Sequence, residues 1–178
     1  MEINDLLKTQ LDEAAWRDLA REFPWTLETL KKYSRKLDWD IVSGNGEILW
    51  TPEMLELFKT WINWTELSQT DCYTILTVAC LERFADYWDW DELSKNEDIP
   101  LEYDTIDRFI DKWDWAELIN HCAWRDNDLG ASHLYSYEFL ERYASRIPAD
   151  ELEESQLWCT IKAQLKRALR RRIASGEE

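Results

Sequence analysis

The side chains that could do chemistry in this chain are carboxylates, two histidines and four cysteines. Acidic residues number 37 among 178, so neighbouring carboxylates are common and do not by themselves indicate acid–base catalysis. A catalytic carboxylate needs a pKa raised by burial in a pocket, whereas the acids here stand where helices are expected to begin. The sequence has no glycine-rich phosphate loop, H-E-x-x-H zinc motif or G-x-S-x-G nucleophile elbow. We therefore predict that the protein is not an enzyme.

The cysteines and histidines form no recognised metal or redox pattern. Cys72, Cys80, Cys122 and Cys159 are separated by 8, 42 and 37 residues, which fits no zinc or disulfide-exchange motif. His121 precedes Cys122 directly, but adjacent residues of a helix point in different directions. The sequence predicts free buried thiols, no metal and no cofactor, and it places the chain in the reducing cytoplasm.

The charge balance limits the possible partners. The chain carries 21 basic and 37 acidic residues, a formal net charge of −16 at pH 7. Nucleic-acid binding needs a basic surface, so direct binding of nucleic acid is not expected. No run of 18 apolar residues occurs, and the first residues lack the basic and apolar regions of a signal peptide. The predicted partner is a protein with a basic surface, and no membrane is involved.

A tryptophan repeat organises most of the chain. Steps of 23, 25, 26 and 25 residues separate five anchor tryptophans: Trp16, Trp39, Trp64, Trp90 and Trp115. An aromatic residue recurs six positions before the anchor, an aliphatic residue nine before, and Trp or Leu fourteen before. We call these three aligned positions the repeat columns. Their residue types agree over four copies, which indicates a tandem repeat of about 25 residues. A sixth copy fits if Ala149 takes the anchor position, after an insertion within residues 119–133.

Capping residues indicate what each copy builds. A hydroxyl suited to an N-cap begins a helix in four copies, at Thr26, Thr51, Thr77 and Ser136. The apolar spacing that follows predicts a helix of about 11–13 residues. A second, shorter helix then begins at an Asp or Asn just before the anchor position: Asp38, Asn63, Asp89 or Asp114. Three of these are followed by a glutamate at capping-box spacing: Glu66, Glu92 and Glu117.

The predicted fold is all-α. A unit of 25 residues cannot bury its own apolar face, so copies must stack. The sequence therefore predicts a short α-solenoid of about six helix–short-helix repeats over residues 1–155, closed by a basic amphipathic helix in residues 156–178. That helix carries apolar residues at steps of four, from Leu157 to Ile173, and a set of cations that includes Lys162, Lys166, Arg167, Arg170 and Arg171. It is predicted to pack on the repeats, with docking to an acidic partner or nucleic acid and binding at a membrane surface as alternatives.

Two short blocks carry a resemblance to known sequences. Residues 88–96 read W-D-W-D-E-L-S-K-N, and residues 112–115 read K-W-D-W. They resemble tandem tryptophan-rich repeats of the form K-W-D-W-x-x-L-S-x-N, which occur in uncharacterised bacterial and large-virus proteins. The resemblance covers about residues 23–120 and implies a helical repeat scaffold in a bacterial or viral protein. It implies no activity for any residue.

The candidate functional surface is acidic. We define the acidic edge as the acids of the short helices: Asp38, Asp40, Glu66, Asp89, Asp91, Glu92, Asp114, Glu117, Asp150 and Glu151. Stacked helices lie about 10 Å apart, so these acids are expected to form a row that attracts a basic partner. The insertion supplies further candidate contacts: Trp124, Arg125, Asp126 and Asp128.

The predicted function is non-catalytic protein binding, as an adaptor, regulator or inhibitor. One alternative is an acidic inhibitor that mimics nucleic acid and blocks a nucleic-acid-handling enzyme, as an immunity or anti-defence protein would. An enzyme with an unrecognised site is an alternative from another class.

Overall fold

The computed structural model describes residues 3–121 and 130–176, and every regular element within those ranges is helical. Twelve α-helices follow in order: α1 Ile3–Glu22, α2 Leu27–Tyr33, α3 Trp39–Ser43, α4 Pro52–Phe58, α5 Trp64–Ser68, α6 Val78–Arg83, α7 Trp90–Lys95, α8 Tyr103–Arg108, α9 Trp115–Leu118, α10 Tyr137–Tyr143, α11 Ala149–Leu152 and α12 Gln156–Ser175. A 3-10 helix covers Ser132–Leu134. The predicted all-α class is confirmed.

The chain divides into two compact units, Met1–Glu92 and Leu93–Glu178. In the first unit, the short helix α3 lies against both α1 and α5. In the second unit, the start of α12 is tied to the end of α9, because the Leu157 N–H donates to the Ile119 carbonyl at 3.0 Å. In the part of the chain that the structure describes, no helix is both long and apolar enough to cross a membrane.

The predicted N-caps of the longer repeat helices are confirmed. The hydroxyls of Thr26, Thr51, Thr77 and Ser136 each accept a hydrogen bond from the backbone N–H three residues later. This bond satisfies one of the N–H groups that a helix N-terminus leaves without a partner. The helix α8 has Glu102 at this position and makes no such side-chain bond.

The repeat columns form the core of each unit. The column fourteen residues before the anchor is buried throughout: Trp25, Trp50, Leu76 and Leu101. The aliphatic column nine residues before it is buried as well: Leu30, Leu55, Leu81 and Ile106. Buried residues therefore recur in each copy at the positions that the repeat predicts for the core, which confirms those positions.

The anchor tryptophans themselves form a ridge between copies. Trp39 lies against Phe58 with ring centroids 4.9 Å apart, and Trp64 lies against Phe84 at 5.6 Å. Trp115 contacts Tyr143 at 4.9 Å. Each pair joins the short helix of one copy to the longer helix of the next.

The longer helices are shorter than predicted, with six or seven residues in place of 11–13. If α4 continued, the Asn63 N–H would donate to the Lys59 carbonyl. Instead, the Trp64 Nε1–H donates to that carbonyl at 2.9 Å, and the Asn63 N–H donates to Ser43 Oγ of the preceding copy at 2.9 Å. Two side-chain bonds thus replace one backbone bond at the end of the turn that follows α4, just before α5 begins.

We call this pair of bonds the Trp–Ser stop, and it recurs in two further copies. The indole bonds run from Trp90 to the Ala85 carbonyl at 2.8 Å and from Trp115 to the Ile110 carbonyl at 3.2 Å. The matching serine bonds run from the Asp89 N–H to Ser68 Oγ at 3.2 Å and from the Asp114 N–H to Ser94 Oγ at 2.9 Å. All three serines are fully buried.

The predicted capping boxes are wrong, because the Trp–Ser stop uses the N–H group that a capping box requires. A capping box requires the glutamate side chain to bind the N–H of the N-cap residue. At Asn63, Asp89 and Asp114 that N–H donates to a buried serine hydroxyl instead. A capping box occurs at Thr26 and Thr29, where the sequence analysis did not predict one.

Candidate functional site

The acidic edge is built from helix N-caps and from acids in the first turns of short helices. Asp38 caps α3, and its carboxylate accepts from the Asp40 N–H at 3.2 Å. Asp114 caps α9 and accepts from the N–H groups of Ala116 and Glu117 at 2.9 and 3.4 Å. The positive end of a helix favours a carboxylate at such positions, so local helix chemistry explains why acids recur there.

Side-chain hydrogen bonds hold successive short helices of the first unit side by side. Asn63 Nδ2 donates to Asp40 Oδ1 at 2.9 Å, which joins the beginnings of α5 and α3. The Thr65 hydroxyl donates to Asp89 Oδ2 at 2.7 Å, which joins α5 to the start of α7. In both pairs, the residue after one anchor tryptophan contacts the residue before the next. The acids of three copies in this unit are thereby kept on one edge.

The acids of the edge differ in how much of their side chain faces solvent. Glu66 and Asp91 are exposed, and Asp89, Glu92, Asp114 and Glu117 are half-buried. Asp89 also accepts from the Glu92 N–H at 3.2 Å, in addition to its bond with Thr65. Asp89 and Asp114 are therefore engaged in hydrogen bonds within the fold. Glu66 and Asp91 are the edge acids most accessible to a binding partner.

The candidate contacts of the insertion, Trp124, Arg125, Asp126 and Asp128, lie outside the described residues. Both borders of that segment are fixed within the second unit. The Gly130 N–H donates to the Ile99 carbonyl at 2.7 Å. Gly130 adopts a φ of +66°, and a Cβ built on it would come within 2.9 Å of His121 Nδ1, so this position favours glycine.

His121 is a buried structural residue. Its Nδ1 accepts from the Ala131 N–H at 2.9 Å, and its Nε2 lies at hydrogen-bonding distance from the Ser94 carbonyl. An amide N–H can only donate and a carbonyl can only accept, so the imidazole is neutral with its proton on Nε2. Burial lowers the pKa of His121, and the bond to Ser94 opposes that shift less strongly.

The sequence analysis did not find this role, although the repeat register contains the signal for it. Asn45 stands six residues after its anchor tryptophan, as His121 does, and Asn45 Nδ2 donates to the Ala20 carbonyl at 2.9 Å. Ala20 and Ser94 occupy the same position in their copies. His121 thus makes the contact that an asparagine makes in the first unit.

The thiols fit the sequence expectation in part. Cys72 and Cys80 are free and buried, whereas Cys159 on α12 is free and exposed, contrary to the prediction of buried thiols. Burial raises the pKa of Cys80 to about 11, which disfavours the reactive thiolate. Cys122 lies outside the described residues. Within residues 3–121 and 130–176, no group of three or more His, Cys, Asp or Glu side chains could hold a metal ion.

The basic helix spans Gln156–Ser175, as the sequence predicts. Its first two turns pack in the second unit: Leu157 and Ile161 are buried, and Gln164 Nε2 donates to the Tyr135 carbonyl at 3.0 Å. Beyond this point the apolar stripe is open, with Leu165 53%, Leu169 54% and Ile173 80% exposed. The predicted packing therefore covers only the beginning of α12.

The cations of α12 border this exposed stripe. Together with the apolar residues, Lys162, Lys166 and Arg170 line a shallow groove along the helix. Arg167 and Arg171 are also exposed. None of these five cations forms an ion pair with any residue in the described part of the chain.

Comparisons with models of protein families, with curated proteins and with solved structures find no match to this chain.

Proposed function

We propose that the protein is a non-catalytic protein–protein interaction module that acts as an adaptor, regulator or inhibitor. Its acidic edge, together with the insertion at 119–133, contacts a partner with a basic surface. The observation that carries the proposal is the bonding of Asp40 to Asn63 and of Thr65 to Asp89, which keeps the acids of three copies on one edge. A fixed row of like charge accelerates and orients the association of an oppositely charged partner.

The roles of the perturbed titratable groups support a non-catalytic function. Asp107 accepts bonds from Arg142 and from the Tyr143 hydroxyl, and the bond from Arg142 is the main cause of its lowered pKa. His121 and Cys80 are buried within their units. Each of these groups has a packing or hydrogen-bonding role that accounts for its shift without a substrate.

The scaffold that we propose for this function is a short α-solenoid of about six copies. The Trp–Ser stops support it, because each stop joins a short helix to the longer helix of the following copy within a unit. The ring contacts of the anchor tryptophans join the same pairs of helices. Such nearest-neighbour contacts are typical of repeat proteins, which present extended binding surfaces.

The test compares two charge-reversed variants. The edge variant carries Glu66→Lys and Asp91→Lys, and the control carries Glu53→Lys and Glu138→Lys on the longer helices α4 and α10. All four acids are exposed and lie in the first turn of a helix. The two variants therefore change the net charge equally and lose similar helix-dipole interactions.

Each variant is used to capture proteins from nuclease-treated host lysate at low and at high salt, and captured proteins are quantified by mass spectrometry. We expect the wild type and the control to retain a stoichiometric basic partner at low salt, and the edge variant to lose it. High salt should weaken the interaction because it screens exposed charges. A partner that the edge variant and the control retain equally would exclude the acidic edge as the binding surface.

The same experiment addresses the alternative of nucleic-acid mimicry, which the row of acids on one edge also supports. A partner whose basic channel is occupied by this protein should be released by an excess of double-stranded DNA or RNA. A partner that nucleic acid does not displace would support an adaptor or regulator in place of a mimic.

A further inference from the structure

The imidazole of His121 connects two segments of the second unit. Its Nδ1 accepts from the Ala131 N–H at 2.9 Å, and its Nε2–H donates to the Ser94 carbonyl. His121 is 3% exposed, and Ala131 is fully buried. One side chain therefore joins residues 130–131, at the border of the insertion, to the end of α7.

The corresponding position is an asparagine in two other copies. Asn45 and Asn96, like His121, stand six residues after an anchor tryptophan. Their Oδ1 atoms accept from the backbone N–H groups of Glu47 and Asp98, at 2.8 and 2.9 Å. A side-chain amide keeps its acceptor at every ordinary pH, whereas an imidazole has one only while it is neutral. In the copy that carries the insertion, a proton can therefore remove the acceptor.

The neighbours of the ring leave little room for the charged form. Gly130 packs so closely that a Cβ built on it would lie 2.9 Å from His121 Nδ1. A protonated Nδ1 would face the Ala131 N–H across the 2.9 Å of the present bond, with a donor on each side. Protonation is therefore expected to separate Gly130 and Ala131 from the ring.

The charges that face His121 oppose the effect of its burial but do not cancel it. Burial lowers the pKa of His121, and the bond to Ser94 and the carboxylates of Glu97 and Glu117 raise that pKa less strongly. Because the lowered pKa belongs to the closed contact, an open form binds a proton more readily. The closed contact is therefore fully favoured above about pH 6.5 and is lost as the pH falls.

The residues that follow Ala131 are attached by bonds that do not involve the imidazole. The Tyr135 hydroxyl accepts from the backbone N–H of His121 at 3.0 Å and donates to the Leu118 carbonyl. His133 faces Glu102, with 3.7 Å between Nε2 and Oε1, and a proton on this histidine would strengthen the pair. Protonation of the His121 ring therefore leaves these attachments in place.

We propose that His121 acts as a pH-sensitive latch, in which proton uptake at Nδ1 releases Gly130 and Ala131 while the rest of the second unit stays folded. The step takes one proton from solvent, forms an N–H bond at Nδ1 and breaks the hydrogen bond from Ala131. It reverses when the proton leaves. The latch needs no partner, so it is independent of the proposed function.

Amide hydrogen exchange of the isotopically labelled full-length protein tests the latch between pH 7 and pH 5. The protection factor of the Ala131 N–H is compared with that of the Leu157 N–H, which donates to the Ile119 carbonyl in the same unit. Protection factors correct for the pH dependence of the intrinsic exchange rate. The imidazole resonances of His121 report its protonation in the same samples. The matched variant is His121→Asn, because asparagine supplies a donor and an acceptor but does not titrate.

We expect the protection of Ala131 relative to Leu157 to fall in the wild type by up to about tenfold per pH unit below about pH 6.5. This fall should follow the protonation of His121. In His121→Asn, the ratio should stay constant over the same range. If this variant does not fold, the comparison of the wild-type ratio with the imidazole titration still decides.

Three results would overturn the proposal. Equal loss of protection at Ala131 and Leu157 would show that the proton unfolds the unit as a whole. A constant ratio while His121 titrates would show that the ring accepts the charge without releasing Ala131. An imidazole that stays neutral down to pH 5 would show that the contact does not respond to pH in this range.

Discussion

Trp64 joins two copies through both its ring and its indole nitrogen. The ring lies against Phe84, Tyr87 and Trp88 of the next copy, and the Nε1–H donates to the Lys59 carbonyl in the turn after α4. We expect Trp64→Ala to lower the free energy of unfolding by about 3 kcal/mol, near the low end for such deletions because the side chain is half-buried. Urea denaturation followed by circular dichroism measures this change.

The matched variant for Trp64 is Trp64→Phe, which keeps an aromatic ring in place but removes the N–H. Loss of one hydrogen bond costs about 1 kcal/mol, so this variant should lie between the wild type and Trp64→Ala. An unfolding midpoint that Trp64→Ala leaves unchanged would contradict the assignment of the anchor tryptophans to the contact between copies.

His121 makes the stability of the second unit depend on pH. Because burial holds its pKa below the ordinary histidine value of about 6.5, the unfolded chain binds a proton at a higher pH than the folded chain does. Stability from this residue is therefore fully present above about pH 6.5 and decreases as the pH falls, by at most about 1.4 kcal/mol per unit. The charges of Glu97 and Glu117 and the bond to Ser94 reduce the effect.

The measurement is urea denaturation between pH 7 and pH 5 for the wild type and His121→Asn. We expect His121→Asn to show a smaller loss of stability over this range than the wild type. Equal slopes for the wild type and His121→Asn would show that the imidazole is not kept neutral by the fold. Asparagine is the suitable replacement because Asn45 makes the equivalent contact in the first unit.

At the scale of elements, the turn between a longer helix and the next short helix is bonded to a neighbouring copy. We expect Ser68→Ala to cost about 1–3 kcal/mol, because it leaves the Asp89 N–H without the acceptor that it binds in the native fold. Differential scanning calorimetry measures the change, and the exposed Ser145→Ala serves as the control. A Ser68→Ala protein as stable as this control would show that the Trp–Ser stop contributes nothing to stability.

The beginnings of the helices could be predicted from sequence, whereas their ends could not. An N-cap such as Thr51 binds an N–H only three residues away, so the whole interaction lies within a short stretch of sequence. The chain leaves the helical path for good at Asn63, whose N–H bonds to Ser43, 20 residues earlier. Apolar spacing continues past this point, and it therefore predicts a helix that is too long.

The same distinction applies to the candidate site. Asp38, Asn63, Asp89 and Asp114 were predicted correctly as N-caps because capping is local. The further hydrogen bonds and the exposure of the individual edge acids were not predicted. Asp89 carries an additional bond to Thr65, 24 residues earlier, whereas Asp91 is exposed. The open half of α12 was also missed, because amphipathic spacing shows that a helix has an apolar face but not what covers that face.

At the scale of the whole molecule, the charges are strongly segregated. Residues 156–178 hold six basic and two acidic residues, which leaves 15 basic and 35 acidic residues in 1–155. The interaction that we propose for the acidic edge therefore depends on charge, and it is expected to weaken as salt increases.

The Trp–Ser stop has a direction along the chain. Each serine hydroxyl belongs to the copy that precedes the helix it ends, so the acceptor for Asn63 or Asp114 is already present when that residue leaves the ribosome. A nascent chain folds from its N-terminal side at about 5–20 residues per second, and in all three stops the serine is synthesised before the N–H that binds it. For these bonds, synthesis and structural dependence run in the same order.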